Sequence, residues 1–482
     1  MNGNGNGPTD RPPAVLRARF VVPVSSPAIE DGAVEMEGGR IVAVGKAGDV
    51  MRQAASGARV HDFGDAAILP GFVNAHSHLE LTALRGLLEG LEFPEWIRRL
   101  SHLKYTVLTP RELGLSARWG VLEGLRSGIT CWGDTSDSGA AVEAILAEGA
   151  RGIVYQEVFG PHPDDCEKAL HDLASKVTDL RRQVVSFGRA VSRGDLFDLP
   201  PGPLEMEGAR VEIGISPHAP YTVSQRLFKA CAALALEEGL PVAVHLAESA
   251  DEELLLKDGT GWYGRRFAER GIPFDAPKAS PFAYIEELGL LKTKPLLIHC
   301  VRTTWEELLR AKKAGATVAH CPQSNAKLGH GVAPLSLMLD AGLSVGLGTD
   351  GVVSNNAHDP FNEMKFCALI HRAAGKDPKL MPATTVLELA TLGAARALGL
   401  DGRVGSLEPG KFADFAVVSL AAASLKPVQS VETALVFSAS ARDVTAVFLA
   451  GRRLYPDLNP LREAYAELGR KLGAAQKELA AA

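Results

Sequence analysis

Asn74-Ala75-His76-Ser77-His78-Leu79-Glu80 closes a short apolar run, Ile68 to Val73, and carries two imidazoles two residues apart. In an extended strand such residues project to one face, so His76 and His78 can grip one cation together. Later apolar runs end the same way: Leu240 to Val244 runs into His245, Lys294 to Ile298 into His299, and Leu343 to Gly348 into Thr349-Asp350. An isolated His-x-His reads as readily as two core or surface histidines. Strand ends in common register point instead to His76, His78, His245 and Asp350 as ligands of one divalent cation. Three imidazoles and a carboxylate suit Zn2+ first and Fe2+ second. An unpaired carboxylate in the mouth of a barrel is costly to bury, and a cation removes that cost. The chemistry such a set serves is water activation near neutral pH, with Asp350 taking the proton. Glu248, three residues after His245, is placed to protonate a ring nitrogen and then deliver protons to a departing amine.

These residues need a scaffold that brings strand ends together. Eight strand-like runs occupy the middle of the chain: Ile68 to Val73, Gly128 to Gly133, Arg151 to Glu157, Val211 to Ile215, Leu240 to Val244, Lys294 to Ile298, Ala316 to Ala319 and Leu343 to Gly348. Amphipathic segments separate many of them, including 112–126, 224–238 and 304–313. Eight βα units predict a parallel (β/α)8 TIM-type barrel over residues 67–402, with its working face where the strands end. The insertion Leu79 to Thr109 becomes a loop over the mouth. Both flanks are β-like, 14–66 before and 403–458 after, including a run at Thr433 to Phe437; together they predict a small composite β-sandwich. Residues 1–13 read as a flexible tail and 459–482 as a C-terminal helix. Asp359-Pro360 and Thr385 to Glu388 read as helix starts, the latter as a capping box.

Six ordered stretches carry a resemblance: Pro70 to His78, Ser216-Pro217-His218-Ala219-Pro220-Tyr221, His245-Leu246-Ala247-Glu248, Ile298-His299-Cys300, Cys321-Pro322-Gln323-Ser324-Asn325 and Gly348-Thr349-Asp350. With them, residues 60–415 resemble the amidohydrolase superfamily, in its cytosine/adenosine-type deaminase branch. That branch includes chlorohydrolase-like enzymes and deaminases of guanine, methylthioadenosine, S-adenosylhomocysteine and aminodeoxyfutalosine. The resemblance implies one metal, because the chain has no lysine where binuclear relatives carry the bridging carboxylated one. It implies that His299 orients the attacking water rather than ligating tightly, and that His218 contacts substrate. Glu80 faces the same way as His78 and is expected either to accept ribose hydroxyls or to pair with Arg85. Trp96 is expected either to stack on a heterocycle or to pack in an amphipathic core with Phe93 and Leu100. The turn Cys321 to Asn325 shapes the pocket floor.

The expected activity is hydrolytic release of ammonia from an amino-substituted N-heterocycle. Adenine nucleoside derivatives come first: 6-aminodeoxyfutalosine, S-adenosylhomocysteine or methylthioadenosine. Two alternatives remain, a hydrolase of a cyclic amide or halogenated triazine using the same metal, and a non-catalytic barrel scaffold.

Bulk properties narrow the partners. The 482 residues are 46% hydrophobic and 22% charged, a globular balance, and the net charge of −6 with no long basic run argues against nucleic acid. No apolar stretch is long enough for a bilayer, so no membrane partner is expected. Six scattered cysteines lack the two-residue spacing of a zinc knuckle or redox motif and read as buried thiols of a cytoplasmic protein. A homodimer is compatible with the sequence.

Overall fold

The computed structural model describes residues 13–192 and 210–481; all of the expected tail except Pro13, and residues 193–209, lie outside that description. The N-terminal flank supplies β1 (Ala14–Val21), β2 (Ile29–Glu37), β3 (Arg40–Lys46), β4 (Arg59–Asp62) and β5 (Ala66–Pro70). The middle supplies β6 (Phe72–Ser77), β7 (Ile129–Ser136), β8 (Arg151–Val158), β9 (Val211–Pro217), β10 (Ala243–Leu246), β11 (Leu296–His299), β12 (Thr317–His320) and β13 (Val345–Leu347). The returning flank adds β14 (Phe415–Ser419), β15 (Val444–Leu449) and β16 (Arg452–Leu454).

The two flanks share one sheet, in the order β16-β15-β14-β5-β1-β2-β3 with β4 beside β1. Its junction is the antiparallel pair β5–β14, which sets Ile68 opposite Val417. Leu16, Val34, Ile68, Phe415, Val417 and Phe448 form one apolar cluster drawn from both ends of the chain.

Three local expectations are corrected. The run Ile68 to Val73 is two strands, not one, split at Gly71 between the flank sheet and the central body. A Cβ there would stand 2.1 Å from Thr130 Oγ1, so only glycine lets the chain pass. Thr433 to Phe437 is helical, within Val431–Phe437, where Ser430 Oγ caps the Thr433 N–H at 3.2 Å. A short apolar run carries no period that separates strand from helix, and the local cap decides. The Thr385 capping box is absent because the helix starts earlier, at Ala383 after Pro382, and Thr385 lies inside it. Asp359 does cap its helix, accepting from Phe361 and Asn362 N–H.

The middle segment forms two four-stranded parallel sheets, β6-β7-β8-β9 and β10-β11-β12-β13. Single parallel bridges join them at both seams, Ile215 with Val242 and Ser77 with Asp350. Every residue of β7 and β8 is buried, the pattern of a parallel strand covered on both faces. The expected amphipathic segments are the helices Pro110–Arg126, Gln225–Glu238 and Trp305–Ala314, each started by a hydroxyl cap, Thr109, Ser224 and Thr304. The insertion after β6 forms a helix Phe93–His102 that continues into a π-turn, Leu103–Val107. The chain ends in the helix Arg462–Ala481. Among the described residues no helix is long and apolar enough to cross a membrane, and all six cysteines are free and buried.

At the second seam the backbones nearly touch. A Cβ on Gly348 would lie 2.8 Å from the backbone nitrogen of His76. The missing side chain lets the strand end carrying Asp350 close against the one carrying His76 and His78, where Asp350 N–H donates to the His76 carbonyl at 2.9 Å.

Candidate metal and catalytic site

His76 and His78 project from the end of β6, His245 from β10, His299 from the last position of β11, and Asp350 from just beyond β13. Ala247, His299 and Asp350 have φ of 52°, 72° and 57°. This left-handed backbone is unfavourable for non-glycine residues and concentrates at functional sites.

The side chains converge. Asp350 Oδ1 is 3.3 Å from His76 Nε2 and 3.5 Å from His78 Nε2. The His245 ring centroid is 5.0 Å from that of His76 and 5.4 Å from that of His78. The His76, His78 and Asp350 ligand atoms lie within 4.8 Å of one another, as do those of His76, His245 and His299. All the predicted ligands therefore meet in one place, over 270 residues of sequence.

These residues fit a cation. Both ring nitrogens of His76 are buried without a hydrogen-bond partner, a costly arrangement unless something binds there. His78 Nδ1 is 2.8 Å from the Thr135 carbonyl and His245 Nδ1 is 3.2 Å from that of His218, which leaves each Nε2 for coordination. Burial lowers the pKa of His76 and His245 and takes His78 to about 3, so the imidazoles are neutral donors at physiological pH. Burial pushes the Asp350 carboxyl up, but His76 and the neighbouring imidazoles more than offset it and hold it well below the usual range. Asp350 Oδ2 accepts from Ser324 Oγ at 2.5 Å and Ser354 Oγ at 3.0 Å, fixing the carboxylate.

Glu248 stands beside this cluster, 94% buried, with Oε1 3.6 Å from His299 Nε2. Burial raises its pKa, but His299 and His330 outweigh it and bring the carboxyl to about 2. Glu248 is therefore a resting carboxylate. His299 is turned towards it by Asn325, whose Oδ1 accepts from Nδ1 at 2.9 Å.

A cavity of about 770 Å3 opens over the cluster and is lined by His78, His218, His245, Glu248, His299 and Asp350. His218 is steadied by Thr222 Oγ1, 2.8 Å from its Nδ1. Trp96 lines the same cavity while stacking on Phe93, so it is wall and core at once. Glu80 is corrected in both of its expected roles. It is fully buried behind the wall, paired with Lys104 at 2.6 Å, while Arg85 pairs with Glu123. Lys104, which does line the cavity, also reaches Asp137 at 2.7 Å. Burial opposes its charge, but the two carboxylates keep it an ammonium.

Five contributors escaped the sequence reading. Glu157, next to last in β8, lines the cavity and approaches His218 Nε2 at 4.0 Å; the strand-end rule that found His245 would have found it too. Ser324 and Asn325 were read only as pocket floor. Lys104 sits in the π-turn after the helix Phe93–His102 and His330 in an irregular segment, with no apolar period to flag either.

Comparison with known proteins accords with this geometry. Residues 67–454 match the amidohydrolase family, and the chain belongs to it. It is 35% identical over 433 residues to a 5-methylthioadenosine/S-adenosylhomocysteine deaminase of Nitratidesulfovibrio vulgaris, covering 89% of this chain and 88% of the relative. An adenosine deaminase from Xanthomonas campestris, solved with bound zinc, superposes with a TM-score of 0.81 at 28% identity, covering 95% of this chain and 98% of that one. Atrazine chlorohydrolase from Arthrobacter aurescens superposes at 0.76 and 24% identity over 95% of this chain and 100% of its own, a likeness of fold alone.

Proposed function

We propose that this amidohydrolase-family protein is a metal-dependent hydrolytic deaminase that releases ammonia from an adenine nucleoside derivative. Methylthioadenosine, S-adenosylhomocysteine and 6-aminodeoxyfutalosine are the first candidates. The observation that carries the reading is the placement of Glu248 and His299 beside the His76–His78–His245–Asp350 cluster on the wall of one cavity. A proton donor so close to the hydrolytic centre suits a poor leaving group such as an amine. The relatives named as deaminases support the same chemistry.

The cation that fits is zinc, held by His76, His78, His245 and Asp350. When bound, it supplies the Lewis acidity that lowers the pKa of water towards about 7. The chain's own residues then manage two protons. Glu248, ionised at rest, takes one from the attacking water and gives it to a ring nitrogen. Asp350 accepts the second, which ends on the amine. His299, steered by Asn325, orients the attack. The carbon gains oxygen, the carbon–nitrogen bond breaks and ammonia leaves.

The scaffold reading is a closed (β/α)8 barrel over 67–402, supported by the bridges at both seams, with a composite β-sandwich from 14–66 and 403–458, for which the one sheet shared by both flanks is the support. Six buried thiols support a cytoplasmic location.

Ammonia release across adenosine, methylthioadenosine, S-adenosylhomocysteine, aminodeoxyfutalosine, guanine and cytosine tests the proposal, with halogenated triazines and cyclic amides in parallel. Turnover is expected for at least one adenine nucleoside. Chloride release or ring opening without ammonia from any nucleoside overturns it.

A further inference from the structure

His330 lies in the turn Gly329-His330-Gly331, whose glycines adopt φ of 72° and 108°. This left-handed path is open to glycine on both sides of the histidine. The turn is tied down by a hydrogen bond from His330 N–H to the Asn325 carbonyl at 2.9 Å. The side chain is 5% exposed, and its Nε2 stands 3.3 Å from Glu248 Oε1. That nitrogen is buried and has no well-directed hydrogen-bond partner among the described residues, so the Glu248 carboxylate is the charge it faces. The ring also meets the edge of Phe93 at 4.6 Å, in the helix that walls the cavity.

From this we infer that His330 is a positioning residue that fixes the carboxylate of Glu248 for proton transfer. Glutamate has three rotatable side-chain bonds, and a general acid must be held within hydrogen-bond reach of its target. Two imidazoles bracket the same oxygen, His299 at 3.6 Å and His330 at 3.3 Å, while the Tyr221 hydroxyl donates to Oε2 at 3.5 Å. His299 also faces the rings of His76 and His245, at 5.9 and 5.5 Å. His330 contacts Glu248 from the protein side, outside the cavity lining, and holds it without touching substrate. Asn325 holds the His299 ring through its side chain and the backbone of His330 through its carbonyl.

The inference rests on the reading of Glu248 as the proton carrier, and the test separates the two. Ammonia release, metal content and melting temperature are measured on His330→Leu, His330→Gln and Glu248→Gln, with the substrate turned over fastest in the panel above. His330→Leu is expected to lower kcat roughly 10- to 100-fold, the scale of a lost close polar contact to a charged group, with KM within about 3-fold and metal content unchanged. His330→Gln, whose amide nitrogen can stand where Nε2 stood, is expected to recover kcat to within about 5-fold of the parent. Should the leucine variant not fold, His330→Met carries the same comparison. An unchanged kcat in the apolar variant, or a glutamine variant no faster than it, overturns the positioning role while an inactive Glu248→Gln leaves the mechanism standing. A fully active Glu248→Gln removes both.

Discussion

Asn325 Oδ1 accepts a hydrogen bond from His299 Nδ1 at 2.9 Å, and the residue before it, Ser324, donates to Asp350. Two consecutive residues of one short helix, Pro322–Lys327, thereby orient Asp350 and the neighbouring histidine from behind. The Asn325 contact fixes which histidine nitrogen carries the proton, leaving Nε2 to face Glu248. Replacing Asn325 by leucine removes that choice. Turnover is expected to fall roughly 10-fold or more with metal content retained, read by steady-state ammonia release beside elemental analysis.

The Gly348 contact with His76 sets the spacing of the cluster. Gly348→Ala forces the strand end bearing Asp350 away from the one bearing His76 and His78, because the new Cβ meets backbone rather than a movable side chain. Metal affinity is expected to drop roughly 10- to 100-fold, a loss comparable to disturbing the outer shell of a metal site. Competition with a chromogenic chelator measures it; parental affinity in the alanine variant removes the seam from the account.

Direct removal of the ligands should split the catalytic roles. Chelator treatment is expected to abolish ammonia release and zinc to restore it, if the cation supplies the Lewis acidity. Asp350→Asn loses both a ligand oxygen and the proton acceptor, so metal content and turnover fall together. Glu248→Gln keeps the metal and loses turnover by roughly 100-fold or more.

Lys104 is held by Glu80 at 2.6 Å and Asp137 at 2.7 Å, all but sealed from solvent at 7% exposure. Taking one partner from a buried ion pair costs roughly 3–5 kcal/mol, and the second carboxylate keeps the cost at the low end. Glu80→Gln is therefore expected to lose about 3 kcal/mol in urea unfolding. A variant as stable as the parent would mean that Asp137 alone suffices.

Stability should also depend on pH in a defined direction. Burial raises the carboxyls of Glu252 to about 8 and Glu363 to about 7, above their unfolded value of 4.5. The folded state keeps protons that the unfolded chain has lost, so these groups reduce stability as pH rises from about 5 to 8. The buried histidines act oppositely. His78, His218, His358 and His371 have pKa values lowered to about 3 to 4, so their contribution is complete above the unfolded value of 6.5 and is lost as pH falls below it. Chelator-treated protein is expected to be most stable near pH 6.5 and to lose roughly 1–3 kcal/mol per pH unit towards pH 8, at most 1.4 kcal/mol per unit from each group. Urea midpoints at pH 6.5, 7.25 and 8 measure the slope, and a rising midpoint contradicts it.

Residue types and spacing by themselves picked out the candidate ligands that the structure brings together. Strands alternate faces and end where chemistry sits in a parallel arrangement, so His76, His78, His245 and Asp350 could be picked from strand ends alone. The same logic located His299, while Glu248 came from its spacing to His245 and His218 from the resemblance; it failed where an apolar run had no period, as at Ile68 to Val73 and Thr433 to Phe437. Only the tertiary structure decided what stands behind those groups. Asn325, Ser324, Lys104 and His330 act through contacts across wide sequence separations, and Glu80 turned from a substrate contact into the buried partner of Lys104. Local sequence fixes the direction of a side chain along its own element; which distant group it meets is set by how the elements pack.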